Sequence, residues 1–413
     1  MSTSTNTSAS TRMRVLVVGA GFAGGMAAVR LAGRSRGRVD VTVVNPRPTL
    51  VHRLRLHQVA VGHPVAAPSL RDTLGPDITF VEGHVTALDP DAGRATVTGP
   101  DGVRRLAFDR VVLATGSTTE PVPVPGGEDV HGVGDLAAAR RLRTAFAALP
   151  AGAQVAVVGG GFTGLETVTE LAEHRSDVRV RLVTSGEVGG WFTPPAAEHV
   201  RRTLGRLGVE AVGDARVHAV EPDRLLLGDG GHVPSDLTVW CGGFAAPPLA
   251  RESGLAVDRQ GAVLTDAALQ SVSHPQVLAV GDAGHAPGPR GERYSMSCQF
   301  GFPSGAHAAD VLRDEALGIV PDGGPAALDL GFQGRCVSLG RRDGVLQLTT
   351  REDVASGRAW TGRGVSVFKE LVLRGVGRTV GVSRRMPGAV RWPGAGRDGT
   401  GREASRDTET VAG

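Results

Sequence analysis

Apolar runs alternate with segments of helical spacing over much of the chain. The runs predict buried strands at 14–18, 39–44, 78–82, 108–114, 154–158, 178–183, 209–212, 237–241 and 277–280. Helical patterns occupy 21–34, 135–149, 163–174 and 194–207, while 85–104 and 216–233 alternate as antiparallel pairs do. This order predicts an α/β protein built on parallel sheets.

The later part of the chain is less regular. A long helix is predicted at 297–317, paired strands at 328–348, and an amphipathic helix at 365–380. The tails at 1–12 and 394–413 are polar and are expected to be disordered.

Two glycine motifs have the form G-x-G-x-x-G, and each stands between an apolar strand and a helix. They are formed by Gly19, Gly21 and Gly24 in the first copy and by Gly159, Gly161 and Gly164 in the second. The first glycine permits the turn, the second admits a pyrophosphate, and the third lets the helix pack close to the strand. The free N–H groups of each helix start favour phosphate binding. Two such loops predict two dinucleotides and electron transfer between them.

Composition narrows the class of protein. The 413 residues are enough for two or three domains, and 41% hydrophobic content is a globular value. The net charge of +3 argues against a nucleic-acid partner, although residues 360–393 contain seven basic residues against one acidic residue. Lys369 is the only lysine, which we attribute to codon bias rather than to function.

The three cysteines, Cys241, Cys298 and Cys336, include no C-x-x-C pair. Neither a metal site nor a dithiol pair is therefore predicted. Their usage fits a reducing cytoplasm, and no apolar run is long enough to span a membrane.

With these motifs in hand, the chain resembles the FAD- and pyridine-nucleotide-dependent oxidoreductases, and within them most closely the type II NADH dehydrogenases. The likeness is carried by the two glycine loops, Ala114-Thr115-Gly116, Gly281-Asp282, the segment 56–60 and Cys298-Gln299. It implies two Rossmann-like domains, with the NAD(P)-binding domain (121–265) inserted in a split FAD-binding domain (13–120 and 266–330). A small C-terminal α+β region would follow at 331–393.

The resemblance also implies site residues. FAD would be held by the first glycine loop and by Asn45, Ala114, Thr115, Gly116, Gly281, Asp282 and Gln299. NAD(P)H would be held by the second glycine loop. Glu166 and Gln299 would be the catalytic residues, near the nicotinamide and the flavin ring. The implied reaction transfers a hydride from NAD(P)H to FAD and then electrons to a second acceptor, with a quinone favoured.

Two departures leave alternatives open. Thr184 stands where an NADH-selective enzyme has an acidic residue, so NADH and NADPH are not distinguished. Pro303-Ser304 stands where the quinone reductases have a glutamine pair. The alternatives are a reductase of an iron–sulfur protein or a biosynthetic intermediate, and a non-catalytic flavin redox sensor.

Structural roles compete with several of these assignments. The structural alternatives are a helix cap for Asp282, a carboxylate that favours the helix dipole for Glu166, and an ordinary helix position for Gln299. The helix at 365–380 either lies on an anionic membrane surface or packs on the FAD domain. The expected location is the cytoplasm, with the inner face of the cell membrane as the alternative, and a homodimer is left open.

Overall fold

The computed structural model describes residues 12–288 and 292–392. The predicted tails lie outside these ranges, apart from residue 12. The first segment of the chain forms strands β1 (Met13–Val18), β2 (Val39–Asn45), β3 (Ile78–Glu82), β4 (His84–Asp89), β5 (Arg94–Gly99), β6 (Gly102–Ala107), β7 (Arg110–Leu113) and β8 (Thr118–Thr119). Its helices are α1 (Phe22–Arg34), α2 (Leu56–Ala60) and α3 (Leu70–Leu74).

The middle segment repeats the strand–helix alternation. Its strands are β9 (His131–Gly132), β10 (Gln154–Val158), β11 (Arg179–Val183), β12 (Glu210–Val212), β13 (Val217–Val220), β14 (Arg224–Leu227), β15 (His232–Pro234), β16 (Leu237–Trp240) and β17 (Phe244–Ala245). Its helices are α4 (Leu136–Ala147), α5 (Phe162–His174), α6 (Pro194–Arg206) and α7 (Leu249–Glu252).

The chain then returns to the first sheet and ends in a smaller layer. Strands β18 (Val263–Leu264), β19 (Val277–Ala279) and β20 (Gly284–His285) precede the long helix α8 (Cys298–Leu317). The last part contains β21 (Gly334–Ser338), β22 (Gly344–Thr349), β23 (Ala355–Thr361) and α9 (Arg363–Arg385).

Two parallel five-stranded sheets form the framework. The first has the order β19-β7-β1-β2-β3 and the second β12-β11-β10-β16-β9. Strand β19 completes the first sheet after the chain has passed through the whole of the second. The mixed α/β class with two Rossmann-like units is as predicted, whereas the exact domain boundaries stay a prediction.

Helices α1 and α8 pack against each other on the first sheet. A β-carbon on Gly305 of α8 would overlap the carbonyl oxygen of Ala23 in α1, so only glycine allows this approach. Arg30 of α1 is buried and donates to both carboxylate oxygens of Asp310 in α8, through Nε and one terminal nitrogen. This packing brings the starts of both helices to the same edge of the sheet.

Three local expectations were wrong. Residues 50–62, for which the sequence pattern predicts no regular element, contain a 3₁₀ turn (Arg53–Arg55) and α2. Helix α2 has no side-chain cap, and tertiary contacts rather than local signals hold it in place. The stretch at 216–233 forms three strands rather than two, and α9 continues beyond residue 380 despite its glycines.

Candidate functional site

The two glycine loops have the same backbone geometry. Gly19 and Gly159 have φ values of +100° and +118°, which strain any residue other than glycine. A β-carbon on Gly24 would overlap the carbonyl oxygen of Gly19, and one on Gly164 would overlap that of Gly159. The third glycine of each loop therefore lets its helix lie directly against the preceding turn.

The middle glycine of each loop faces open space. Beyond the chain neighbours and the adjoining helix backbone, no atom of the described residues lies within 4 Å of a β-carbon built on Gly21 or Gly161. Helices α1 and α5 start directly after these glycines, without a side-chain cap and without an acidic residue in the first turn. By contrast, Asp135 caps α4 and Ser297 caps α8. The first-turn N–H groups of α1 and α5 are thus suited to bind phosphate.

Equivalent residues stand at the end of the second strand of each unit: Asn45 is the last residue of β2, and Thr184 directly follows β11. The side-chain oxygen of Asn45 accepts a hydrogen bond of 2.9 Å from the Ala20 N–H, and its amide donates to the carbonyl of Arg47. Thr184 follows β11 and its side chain lies against Gly160. Asn45 therefore fastens the glycine loop, and its amide oxygen keeps a second lone pair for a ribose hydroxyl. That it binds the ribose remains a prediction.

An inner cavity opens where α1, the end of β7, the turn at Gly281 and the start of α8 meet. It is lined by Gly21, Phe22, Ala23, Arg53, Leu54, Leu56, Ala114, Gly116, Ser117, Val133, Gly134, Thr163, Phe244, Val280, Gly281, Asp282, Met296, Ser297, Cys298 and Gly301. The second unit contributes Thr163, so the cavity reaches from the first glycine loop to the start of α5. Of the predicted FAD residues, Gly21, Ala114, Gly116, Gly281 and Asp282 line this cavity.

Asp282 is held by a network that sequence reasoning missed. Its carboxylate accepts a 2.6 Å hydrogen bond from the Ser117 hydroxyl. The Arg53 guanidinium donates to the carbonyl and to the hydroxyl oxygen of Ser117 at 2.5 and 3.1 Å. Burial lowers the pKa of Arg53. Ser117 directly follows the Ala-Thr-Gly motif and could have been found from it, whereas no sequence signal marked Arg53.

The donors and acceptors of this cavity fit FAD. Free N–H groups at the start of α1 suit a pyrophosphate. The remaining lone pairs of Asp282 suit the hydroxyl groups of a polyol chain. The start of α8 presents the positive end of a helix dipole to the same cavity. The second glycine loop offers the same phosphate site to a second dinucleotide.

Gln299 uses its side chain to join α8 to β21. Its amide nitrogen donates to the carbonyl of Gly334 at 2.7 Å, and its oxygen accepts from the Gln333 N–H at 3.4 Å. The neighbouring residue Cys298 lines the cavity instead. Pro303 and Ser304 are buried, and Ser304 binds the Gly281 N–H rather than facing a cavity. The catalytic role given to Gln299 stays a prediction.

Glu166 is the centre of a buried cluster. One of its oxygens accepts from the Ser338 N–H at 3.1 Å, from the Ser338 hydroxyl at 3.0 Å, and from the Lys369 ammonium. The other oxygen lies 3.6 Å from Nδ1 of His57. Because α5 starts at Phe162, Glu166 stands in its second turn and not in the first turn. Leu56, which precedes His57 in the chain, and Thr163, three residues before Glu166, line the inner cavity.

Burial shifts the titration of this cluster. It lowers the pKa of Lys369 to about 7. It also lowers the pKa of His57, and the positive charges of Lys369, Arg341 and Arg55 lower it further. Lys369 and His57 were not predicted as site residues, although Lys369 stands out as the only lysine.

A second space, the outer cleft, opens between α2, the β21–β22 turn and α9. It is lined by Gln58, Ser338, Gly340, Arg341, Ser366, Val367, Lys369, Glu370, Leu371, Leu373 and Arg374. Arg55, in the 3₁₀ turn just before α2, binds Glu370 of α9 at 2.9 Å beside the cleft. Lys369 therefore belongs both to the buried cluster and to the wall of the outer cleft.

Helix α9 has one packed face and one exposed face. Val365, Leu373 and Val380 are buried against the rest of the protein. Away from these buried positions, Val367, Phe368, Leu371 and Val372 are 53, 47, 60 and 42% exposed. Within residues 12–288 and 292–392, no helix combines the length and apolarity needed to cross a bilayer. The exposed face is an unusual concentration of apolar side chains.

Comparison with known proteins gives a consistent result. The profile of the pyridine nucleotide-disulphide oxidoreductase family matches residues 13–301. An NADH dehydrogenase-like protein of Mycobacterium tuberculosis is 33% identical over 327 residues, which cover 73% of this chain and 80% of the relative. A demethylphylloquinone reductase of Synechocystis is 26% identical, with coverage of 70% and 76%.

A similar fold occurs in NDH2 of Plasmodium falciparum, solved in complex with NADH. The TM-score is 0.73 at 14% identity, and the alignment covers 91% of this chain and 98% of the other. At this identity the likeness concerns the fold alone. It extends beyond residue 301 and so includes the part of the chain that the family profile does not match.

Proposed function

Because the chain belongs to the pyridine nucleotide-disulphide oxidoreductase family, we propose that it oxidises NAD(P)H through bound FAD and reduces a quinone. The general class follows from the family: the protein is an NAD(P)H-dependent flavoprotein oxidoreductase. When bound, FAD supplies the two-electron chemistry that connects the nucleotide to the acceptor. The family does not identify the electron acceptor, so the quinone is argued from the residues of the site.

The chain's own residues serve to bind and orient the cofactors. In this proposal, the start of α1 binds the FAD pyrophosphate, and Asp282, aligned by Ser117 and Arg53, holds the polyol hydroxyls. The start of α5 binds the NAD(P)H pyrophosphate in the same way. Thr163 lines the inner cavity only three residues before Glu166, so the nucleotide site and the Glu166 cluster are on one helix.

The observation that carries the quinone proposal is the position of Lys369. This ammonium contacts Glu166 of α5, the helix whose start lines the inner cavity, and it also lines the outer cleft. Of the three cations that line the cleft, Lys369 is more buried than Arg341 and Arg374. The exposed apolar side chains of Val367 and Leu371 line the same cleft. A quinone needs apolar surroundings for its ring and a charged or hydrogen-bonding group at its oxygen. Lys369 is suited to that oxygen, and Glu166 orients Lys369.

The exposed face of α9 supports a lipid surface as the source of the acceptor. We infer that Phe368 and Val372 enter the membrane interface, with Arg374 and Arg378 beside anionic headgroups. A quinone leaving that surface would meet the edge of the outer cleft first. The corresponding location is the inner face of the cell membrane.

Anaerobic rapid mixing tests the function. Purified holoenzyme is mixed first with NADH or NADPH and then with a short-chain ubiquinone, while the flavin absorbance is followed. We expect one nucleotide to bleach the flavin band rapidly and the quinone to restore it at a comparable or slower rate. If the flavin band bleached rapidly and then recovered on addition of a ferredoxin but not of the quinone, the acceptor would be an iron–sulfur protein instead.

A further inference from the structure

A second carboxylate lies one helical turn beyond Glu166, deeper in the protein. Glu170 is on the same face of α5 and is 1% exposed, the more buried of the two acids. Each acid faces a histidine of the segment 56–63. Nδ1 of His57 lies 3.6 Å from Glu166, and Nε2 of His63 lies 3.3 Å from Glu170. Two parallel acid–histidine pairs thus follow one helix.

The two pairs differ in their access to water. The His63 side chain is 37% exposed, whereas His57 is 4% exposed. Nε2 of His57 is buried and has no hydrogen-bond partner among the described residues. Side chains four residues apart on a helix stand about 5–6 Å apart, which one water or one rotamer change can bridge. These positions would allow a path from solvent through His63 and Glu170 to the Glu166 cluster.

Structural need does not explain Glu170. The charged groups that face it are Arg341 at 3.5 Å, together with the like charges of Glu173 and Glu370. Arg341 is itself 41% exposed and compensates poorly for the burial of a carboxylate. Burial raises the pKa of Glu170 to about 7, so this group can both take up and release a proton near neutral pH. An amide or apolar residue would stabilise the fold more.

The proposed reaction requires such a group. NAD(P)H and a quinone supply two electrons and one proton between them, and formation of a quinol takes a second proton from water. We propose that His63 and Glu170 collect this proton and pass it along α5, through His57 and Glu166, to Lys369 at the outer cleft. This inference rests on the proposed function, because only an acceptor that takes up protons needs the path.

The test compares Glu170→Gln with the wild-type holoenzyme. After NADH has bleached the flavin band, the protein is mixed with a short-chain ubiquinone and a pH-indicator dye. We expect bleaching by NADH at the wild-type rate, and proton uptake and recovery of the flavin band at least about tenfold slower. The wild-type quinone step should slow above pH 7, as Glu170 loses its proton, and this dependence should vanish in the variant.

His63 provides a second variant at the exposed end. The His63→Ala protein should also lose quinone-step rate, and added imidazole should restore it. Glu210→Gln serves as the matched control, because Glu210 is an exposed acid of the same unit in an ion pair with Arg181. An unchanged quinone step in Glu170→Gln, or equal slowing of both steps, would overturn the path.

A measurement without any acceptor separates the path from the proposed function. In wild-type protein, the ring of His63 is titrated by NMR, and the titration is repeated in Glu170→Gln. In wild-type protein, we expect the His63 ring signals to show a second titration step near pH 7, when Glu170 beside the ring loses its proton. The step should vanish in Glu170→Gln, and its absence from the wild type would overturn the pair. If the wild-type protein did not reduce quinone, the proposed acceptor would be wrong, whatever the titration of His63 showed.

Discussion

The only lysine of the chain, Lys369, contacts the carboxylate of Glu166 across a sequence separation of 203 residues. Both side chains are nearly buried, at 12 and 11% exposure. Every other basic side chain apart from histidine is an arginine. Codon bias explains the arginines but not this exception. A compact ammonium whose charge can change near neutral pH has a different chemistry from a permanently charged guanidinium.

Lys369→Met should destabilise the protein by about 3 kcal/mol, because it leaves the buried Glu166 without its cation. Combining it with Glu166→Gln should recover most of this loss. The quinone step should be at least about tenfold slower in both variants, whereas binding of NAD(P)H should be unchanged. Urea denaturation and the two-step mixing experiment measure these effects.

The matched control for Lys369→Met is Arg363→Gln, which removes an exposed cation from the same helix. It should change neither stability nor the quinone step. If Lys369→Met were as stable and as active as this control, the contact with Glu166 would have no role in either property. Lys369→Arg adds a further comparison, since it keeps the charge but not the compact shape.

The second glycine loop and its strands were predicted to within one or two residues, because their signals are local. An apolar run, three spaced glycines and a helical pattern define β10, α5 and β11 without reference to the rest of the chain. The fold class could be predicted because the same strand, glycine-loop and helix signals occur twice in the chain. The sequence therefore predicted an element correctly wherever the element has a local signal of its own.

The Glu166 cluster could not be predicted in this way. It joins α5, α2, β21 and α9, and nothing in the local sequence of α2 or α9 refers to the others. No local signal marks His57, because α2 has only five residues and no side-chain cap. Arg53 and Ser117 are similar cases, since their roles depend on where Asp282 lies in space.

Gly161→Val should remove nucleotide binding without disturbing the fold. The backbone at Gly161 has φ −75° and ψ −179°, which valine adopts readily, and the side chain would occupy the space intended for a pyrophosphate. Thermal unfolding and flavin content should match wild type, while NAD(P)H no longer bleaches the flavin band. Fast bleaching in the variant would show that the nucleotide binds elsewhere.

Gly164→Val is the informative contrast to this variant. Its β-carbon would overlap the carbonyl oxygen of Gly159, so the helix would have to move away from the turn. We expect poor folding or a clearly lower unfolding temperature. Equal thermal stability of the two valine variants would contradict the close approach of α5 to its strand.

Replacing Phe368 and Val372 by glutamate should weaken binding to vesicles of anionic lipid. Burial of one such apolar side chain in the membrane interface contributes about 2 kcal/mol to binding. The vesicle affinity of the double variant should therefore fall more than about tenfold. Cosedimentation with anionic and neutral vesicles measures it. Val354→Glu, an exposed apolar residue outside α9, is the control. Equal binding of the control and the double variant would exclude α9 as the contact.

Glu170 should give the stability of the protein a distinctive dependence on pH. Its pKa is about 7 in the folded protein and near 4.5 when unfolded, so between these values the folded state holds the extra proton. Stability therefore falls as pH rises from 4.5 to 7, by about 3 kcal/mol for this group alone. Glu170→Gln should lack this fall and gain stability relative to wild type at pH 8, as measured by urea denaturation at pH 5 and 8. The exposed control Glu210→Gln should show the same pH dependence of the unfolding free energy as wild type. If Glu170→Gln also showed the wild-type dependence, Glu170 would have the same pKa in the folded and unfolded protein.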